Sequence, residues 1–224
     1  GDKGLWCPNA KIGSTSVYNA IARIMKFSGR GSEVERCYPP ELHTKPCWHP
    51  RQMRSAYEMI KRGYSSRLCK AFTFTFIRNP WDRLRSAYNG KIATGRIMVD
   101  GRTDMTFAEF VRFIAKQDPA DMNYHWRPVS QVCLTSAQEP AKYDKIYRLE
   151  DGFNSNLAEA LQQIGWPVDE IEAQNVKTDP TVEERISNYT QAEGISHKHE
   201  LVRLVRKVYK DDIRLGGYSF RKYA

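Results

Sequence analysis

The sequence predicts an α/β fold, with a central, mostly parallel sheet flanked by helices. Two observations carry that prediction. Short apolar or alternating stretches recur between amphipathic helical stretches, which is the pattern of strand–helix units. The first two strand candidates are each followed by residues that suit an anion and then by a helix start. In open α/β sheets, ligands gather outside the carboxyl ends of the strands. The 224 residues read as one domain over 1–224, since no repeat, low-complexity tract or clear linker divides them.

The first strand candidate runs from Leu5 to Cys7. The loop from Cys7 to Ser16 reads C-P-N-A-K-I-G-S-T-S, and Val17, Tyr18, Ala20, Ile21, Ile24 and Met25 follow at the spacing of one helix face. A strand, a tight loop and a helix N-terminus aim backbone N–H groups and the positive end of the helix dipole at one point, which suits phosphate or sulfate. Gly13 allows close approach of the backbone, Ser14, Thr15 and Ser16 supply hydroxyl donors and a cap, and Lys11 supplies a full positive charge. This is not a Walker A loop, because Lys11 lies three residues before Ser14 and the first glycine is missing. A capped helix with a surface lysine is the competing reading.

Residues 28–32 read as a turn, and 33–50 as a proline-rich loop that holds His43 and His49, two of the five histidines. Residues 51–62 read as a helix. Phe72, Phe74 and Phe76 alternate with Thr73 and Thr75, a period-2 strand ending at Arg78-Asn79-Pro80. A helix begins at Pro80, where a missing N–H costs nothing, and carries Ser86 two turns beyond Arg78. Residues 90–104, with Gly90, Gly95 and Gly101, read as a loop. Phe107, Phe110, Val111 and Ile114 mark a further helix, and Pro128 makes Tyr124–Pro128 irregular. Tyr143 to Leu149 is the third strand candidate. Residues 153–164 read as a helix, 168–182 as a polar loop, and His197 to Leu215 as one long helix stopped by Gly216 and Gly217.

Lys and Arg number 35 against 26 Asp and Glu, a net charge of +9 that favours an anionic partner. Nothing matches a nucleic-acid-binding motif, and no run of 18 apolar residues spans a membrane. The five cysteines lack C-x-x-C spacing, so no metal site is expected. Cys7 and Cys69, in or beside apolar segments, read as core thiols, and Cys37 and Cys47 as a pair able to form in an oxidising compartment.

The segment F-T-F-I-R-N-P-W-D-R-L-R-S-A-Y-N-G-K, Phe74 to Lys91, closely resembles the 3′-phosphate-binding segment of Golgi-type carbohydrate sulfotransferases. Pro8 to Ser16 resembles their 5′-phosphosulfate loop, of the pattern P-K-x-x-S-T-S, with Asn9 and Ala10 standing between the proline and the lysine. His125-Trp126-Arg127-Pro128 with Cys133, Tyr143 to Glu150 and Tyr209 to Tyr218 also look like that family, which includes the chondroitin and dermatan enzymes and, more distantly, the uronyl 2-O-sulfotransferases.

The resemblance implies a P-loop-like sulfotransferase fold and the donor 3′-phosphoadenosine 5′-phosphosulfate (PAPS), with 3′-phosphoadenosine 5′-phosphate as product and no metal. Lys11 is then assigned to the leaving oxygen and sulfuryl group, and Lys11, Ile12, Gly13, Ser14, Thr15 and Ser16 to the 5′-phosphosulfate. Arg78 and Ser86 are assigned to the 3′-phosphate, Arg78 through a charge-assisted fork. The competing role for Arg78 is an ion pair with Asp82 or Glu150, and for Ser86 a small residue at a helix contact. His43 is preferred as general base, with His49 second and Glu41 a carboxylate alternative. His125 reads as packed against the core, Trp126 as a core residue, and His197 and His199 as helix-start surface residues.

The expected acceptor is an anionic glycan, met by a basic surface drawn from Arg51, Arg54, Lys61, Arg62, Lys91, Arg96, Arg102 and Arg127. A small-molecule O- or N-sulfotransferase, a kinase or NTPase, and a non-catalytic polyanion-binding module are the alternatives. The resemblance implies the Golgi lumen, with the cytoplasm as the alternative compartment.

Overall fold

The computed structural model describes residues 4–7, 10–12, 17, 72–132, 143–165 and 198–219. The strands are β1 (Gly4–Cys7), β2 (Phe72–Ile77) and β3 (Lys145–Arg148), and they form a parallel sheet in the order β1-β2-β3. Leu5 pairs with Thr73 and Cys7 with Thr75 on one side of β2; on the other, Thr75 pairs with Ile146 and Ile77 with Arg148. The helices are α1 (Pro80–Ala87), α2 (Phe107–Ile114), α3 (Phe153–Gln163), α4 (Lys198–Val208) and α5 (Lys210–Leu215). The expected α/β architecture, a parallel sheet flanked by helices, is present. Val17 is helical and buried, and the helix expected over 51–62 lies outside the described residues.

β2 is the central strand, and that changes the meaning of its alternation. Phe74 and Phe76 fill one face beside Tyr147, Trp6 and the α3 residues Phe153 and Leu157. Phe76 stacks on Tyr147 at 5.4 Å and tilts against Phe153 at 5.1 Å between ring centroids. The opposite face is covered as well, so Thr75 and Ile77 are fully buried. A strand inside a parallel sheet is enclosed on both faces, and a polar side chain there needs an internal acceptor. Thr75 has one, because its hydroxyl donates to the Cys7 carbonyl at 3.1 Å.

The second cluster is helical. Trp81, Leu84, Ala87 and Tyr88 pack with Phe107, Phe110 and Ile114 of α2 and with Leu201, Val202 and Val205 of α4. α2 enters through a capping box: Thr106 accepts from the Glu109 amide, and Glu109 accepts from the Thr106 amide at 2.7 Å. Tyr124–Pro128 is irregular, as expected, and Trp126 is a core residue set edge-on to Phe110.

Three expectations need correction. The helix entered at Pro80 does not stop before Gly90. It continues as a π-helical turn over Tyr88–Ile92, closed by the Ala93 amide on the Tyr88 carbonyl. Tyr88 and Ile92 stay in the helical cluster across that turn, and this burial carries the chain past the glycine.

The single C-terminal helix is two, α4 and α5, divided at Tyr209. There the tyrosine hydroxyl donates to the Trp126 carbonyl at 2.6 Å, and Asp212 one turn on is drawn to the Val129 and Ser130 amides. Gly217, at φ +62°, ends α5, and a Cβ at Gly216 would collide with the Tyr218 ring.

Cys7 is not a thiol. It is disulfide-bonded, to a cysteine outside the described residues. Burial suits a bridge as well as a thiol, and cysteine spacing does not fix pairing. Cys37, Cys47 and Cys69 lie outside the described residues.

Candidate anion-binding site

Two of the parallel strands deliver the candidate site to the carboxyl end of the sheet. Past β1, Lys11 follows the buried Ala10 and precedes the buried Ile12. Its backbone is left-handed, at φ +65°, which costs a non-glycine residue about 1–2 kcal/mol. Past β2, Arg78 is half-buried, and Asn79 caps α1 by accepting from the Trp81 amide at 3.0 Å with Pro80 in the first turn. Ser86 sits in the last turn of α1, half-buried.

The electrostatics of Lys11 define the site. Burial holds its amine below the ordinary lysine range, and the positive charges of Lys91, Arg78 and Arg96 push it further the same way. Among the described residues, the charges acting on the amine are all positive. A folded chain that gathers Lys11, Arg78, Lys91 and Arg96 opposes its own charge at that point. A bound dianion would relieve the repulsion and raise the amine back toward the ordinary lysine range.

Two features outside the expected set lie against Lys11 and the residue before it. Arg83, only 1% exposed, donates from Nε to the Ala10 carbonyl at 3.0 Å. Gly90, in the π-helical turn, leaves room for the amine: a Cβ built there would stand 2.7 Å from Lys11 Nζ. Neither role leaves a periodic signal. The clue in the sequence was the glycine inside an otherwise helical run, at Tyr88-Asn89-Gly90-Lys91.

Glu150 holds the backbone that follows Arg78 from the β3 side. One carboxylate oxygen accepts the Asn79 amide at 2.6 Å and the other the Tyr218 hydroxyl at 2.9 Å, while the Arg148 guanidinium lies 4.7 Å from the centre of the Tyr218 ring. Burial, with Glu150 beside it, pushes the Tyr218 phenol far above its ordinary value, so it stays a hydroxyl donor. Asp212 lies deeper. Burial raises its carboxyl, while the Arg83 charge and the Ser130 and Val129 amides act against that rise.

Among the other expected residues, Lys11, Ile12, Arg78 and Ser86 are described; Gly13, Ser14, Thr15, Ser16, His43, His49 and Glu41 lie outside the described residues. Of the basic set, Lys91 and Arg96 join Lys11. Arg102 instead pairs with Asp104 and Glu109 at 3.0 and 3.1 Å, and Arg127 donates to the Met122 carbonyl at 2.9 Å. His125 is half-buried in a turn, its Nδ1 2.9 Å from the Asn123 side-chain oxygen, and His199 is exposed at the start of α4. Among the described residues, no cluster of His, Cys, Asp or Glu is arranged to hold a metal ion.

Comparisons with known proteins agree with this chemistry. The family profile described as Sulfotransferase family matches residues 2–219. Carbohydrate sulfotransferase 14 of Danio rerio is 32% identical over 123 residues, 45% of this chain and 32% of that protein. The Homo sapiens protein of the same name is 32% identical over 109 residues, 41% of this chain and 29% of its own length. The matched region thus spans about a third of these relatives. A crystal structure of a sulfotransferase from Alicyclobacillus acidocaldarius aligns with 100% of this chain and 99% of that one, at 14% identity and a TM-score of 0.45, too low to support an argument. With the family profile covering nearly every residue, from the first strand to the end of the last helix, the chain belongs to the sulfotransferase family.

Proposed function

We propose that this chain is a sulfotransferase domain that moves a sulfuryl group from PAPS to a hydroxyl or amine of a carbohydrate acceptor. The observation that carries the proposal is the set of cations converging on Lys11, beyond the carboxyl ends of β1 and β2. Family membership supports the donor class, and the carbohydrate sulfotransferase 14 relatives support a glycan acceptor.

PAPS supplies an activated sulfuryl group on a phosphate leaving group. Sulfuryl transfer is an in-line displacement, in which the acceptor's bond to sulfur forms as the bond from sulfur to the bridging oxygen breaks. Lys11 neutralises charge at that oxygen, at a desolvated position where a cation counts for more than it does in water. Arg78, with Ser86, holds the 3′-phosphate, which distinguishes this donor from ATP. Ile12, Gly13, Ser14, Thr15 and Ser16 line the 5′-phosphosulfate. His43, or His49, takes the acceptor's proton. Lys91 and Arg96 extend the positive field toward an anionic acceptor. The bridged Cys7 supports an oxidising compartment such as the Golgi lumen. No helix among the described residues is long and apolar enough to cross a membrane.

Calorimetric binding of 3′-phosphoadenosine 5′-phosphate without added metal tests the donor site, with AMP as control and Arg78→Ala beside the wild type. The expected result is binding that requires the 3′-phosphate and weakens roughly 10–100-fold in Arg78→Ala, the cost of a lost charge-assisted contact. Equal binding of AMP, or none of either nucleotide, overturns the proposal. An acceptor screen from glycosaminoglycans to small hydroxylated and guanidinium metabolites then separates a carbohydrate acceptor from a small-molecule one.

A further inference from the structure

We infer that Gly90 is a positioning residue for Lys11, and that the π-helical turn carrying it is shaped to seat the lysine amine. Four observations converge on this. The turn over Tyr88–Ile92 departs from α-helical geometry where it faces the loop after β1. Gly90 has no positive φ, so its backbone does not demand glycine; a Cβ there would stand 2.7 Å from Lys11 Nζ and 3.8 Å from Lys11 Cε, so it would displace the flexible lysine tip. The Gly90 carbonyl is fixed by the Thr94 hydroxyl at 3.2 Å, and the turn is anchored by the Tyr88 hydroxyl on the Met105 carbonyl at 2.9 Å. On the other side, Arg83 tethers the Ala10 carbonyl, so the backbone before Lys11 is held by the helix that leads into the turn.

A long lysine side chain has many rotamers, and catalysis needs few of them. The tether fixes where the side chain begins, and the glycine seat fixes where its charge ends. A methyl group at position 90 would have to push the amine aside, because the turn is anchored and the lysine tip is the mobile partner. The energetics follow from the chemistry of glycine. In a helical turn, alanine is the better helix former, so a glycine kept for structure alone is not expected there. Replacing it should leave the fold as stable or more stable while misplacing the charge. The kinetic part of this inference rests on the proposed sulfuryl transfer; the placement of the amine does not.

The test uses Gly90→Ala in the full chain, with three readouts. The melting temperature should be unchanged or higher. With PAPS and an acceptor turned over by the wild type, kcat should fall roughly 10–100-fold with KM for PAPS within about threefold, the effect of misplacing a catalytic group by about 1 Å. The same substitution on a Lys11→Met background should cost little more, since a positioning residue has nothing left to position. Independently of activity, competitive labelling with acetic anhydride across pH, read at the Lys11 peptide, should show an amine shifted toward ordinary lysine behaviour. Arg83→Lys, which keeps the charge but loses the Nε contact, should lower kcat in the same direction. A Lys11 labelling profile identical to wild type, or a kcat loss that adds in full on the Lys11→Met background, overturns the inference. A wild type that binds no 3′-phosphoadenosine 5′-phosphate would sink the proposed function, and the labelling result would still decide the role of Gly90.

Discussion

The cluster on the sheet is assembled from Trp6, Phe74, Phe76, Tyr147 and the inner face of α3, and its members are apolar or aromatic. The cluster between the helices shares its elements with buried ions: Asp82 and Arg83 ride on α1 beside Trp81 and Leu84, and Asp212 on α5 follows Tyr209. The difference shows how the molecule divides its labour. The sheet cluster packs apolar and aromatic side chains over strands whose register is set by their own ladder and by the Thr75 hydroxyl on the Cys7 carbonyl. The helical cluster also connects distant segments through hydrogen bonds, from Ala10 through Arg83 on α1, and from Val129 and Ser130 to Asp212. Lys11 is tied to the second system through the Ala10 carbonyl and borders the first through Ile12, but its charge neighbours ride on the segment that follows β2, so damage to the two clusters should look different.

The largest expected effect comes from removing the buried cation. Arg83→Met leaves Asp212 in a desolvated site without the charge that favours its ionised form, and takes the donor from the Ala10 carbonyl. Leaving a buried polar group without its compensating partner costs about 1–3 kcal/mol, and here both the Asp212 carboxyl and the Ala10 carbonyl lose one. Chemical denaturation should show a loss of that size, together with weaker binding of 3′-phosphoadenosine 5′-phosphate. A stability loss below about 1 kcal/mol, the ordinary worth of a neutral hydrogen bond, would show that Arg83 and Asp212 are not coupled.

The second effect is a proton. The Lys11 amine is depressed, so the unfolded chain binds more protons than the folded one in the range between the depressed and the ordinary value. The contribution of this group to stability therefore rises with pH across that window. A bound anion raises the amine again, so binding of 3′-phosphoadenosine 5′-phosphate should take up a proton there. Calorimetry in two buffers of different ionisation enthalpy measures the uptake, and Lys11→Met should abolish it. Uptake that survives that substitution would move the linkage to another group.

The sheet cluster supplies the contrast. Phe76→Leu removes an aromatic partner of Tyr147 and Phe153 but keeps an apolar side chain, and should cost about 1–1.5 kcal/mol in stability. Nucleotide affinity should stay within about twofold, because no charged contact depends on that ring. A large loss of affinity would mean that the two clusters are mechanically joined.

What the sequence made legible follows the same division. Period-2 alternation at Phe72, Phe74 and Phe76 located β2, and Asn79-Pro80 located the start of α1, because apolar spacing and cap chemistry are local. The segment from Phe74 to Lys91 also carried the family resemblance that the family profile bears out. Long-range polar bonds leave no such trace. Nothing in Trp81-Asp82-Arg83 distinguishes a buried arginine from a helix-surface one. Nothing near Asp212 points to Val129, 83 residues away. Gly90 was visible as a glycine but read as the start of a loop, since the usual reason for a glycine is its own backbone and here the reason is a neighbour's side chain. Cys7 was misread for a related reason: the residue to which it is bridged is not its neighbour in sequence.

The smallest effect tests how much of the helical cluster depends on local caps. The Thr106 amide and hydroxyl, with Arg102, hold the Glu109 carboxyl down to about 2. An unfolded glutamate titrates at about 4.3. A depressed acid stabilises the fold above its unfolded value, and that contribution is lost as pH falls from about 4.3 toward 2, where the folded carboxyl takes its proton. Amide exchange at the first turn of α2 should therefore quicken over that window, while the amides of Val111 and Ile114, behind the apolar face, stay protected. Thr106→Ala, which removes the hydroxyl that accepts the Glu109 amide, should quicken the first turn at neutral pH as well, at a cost of about 1 kcal/mol. If the whole helix loosened together, the cap and not the packing would hold α2 against α4, and the helical cluster would depend on its polar bonds for its apolar contacts too.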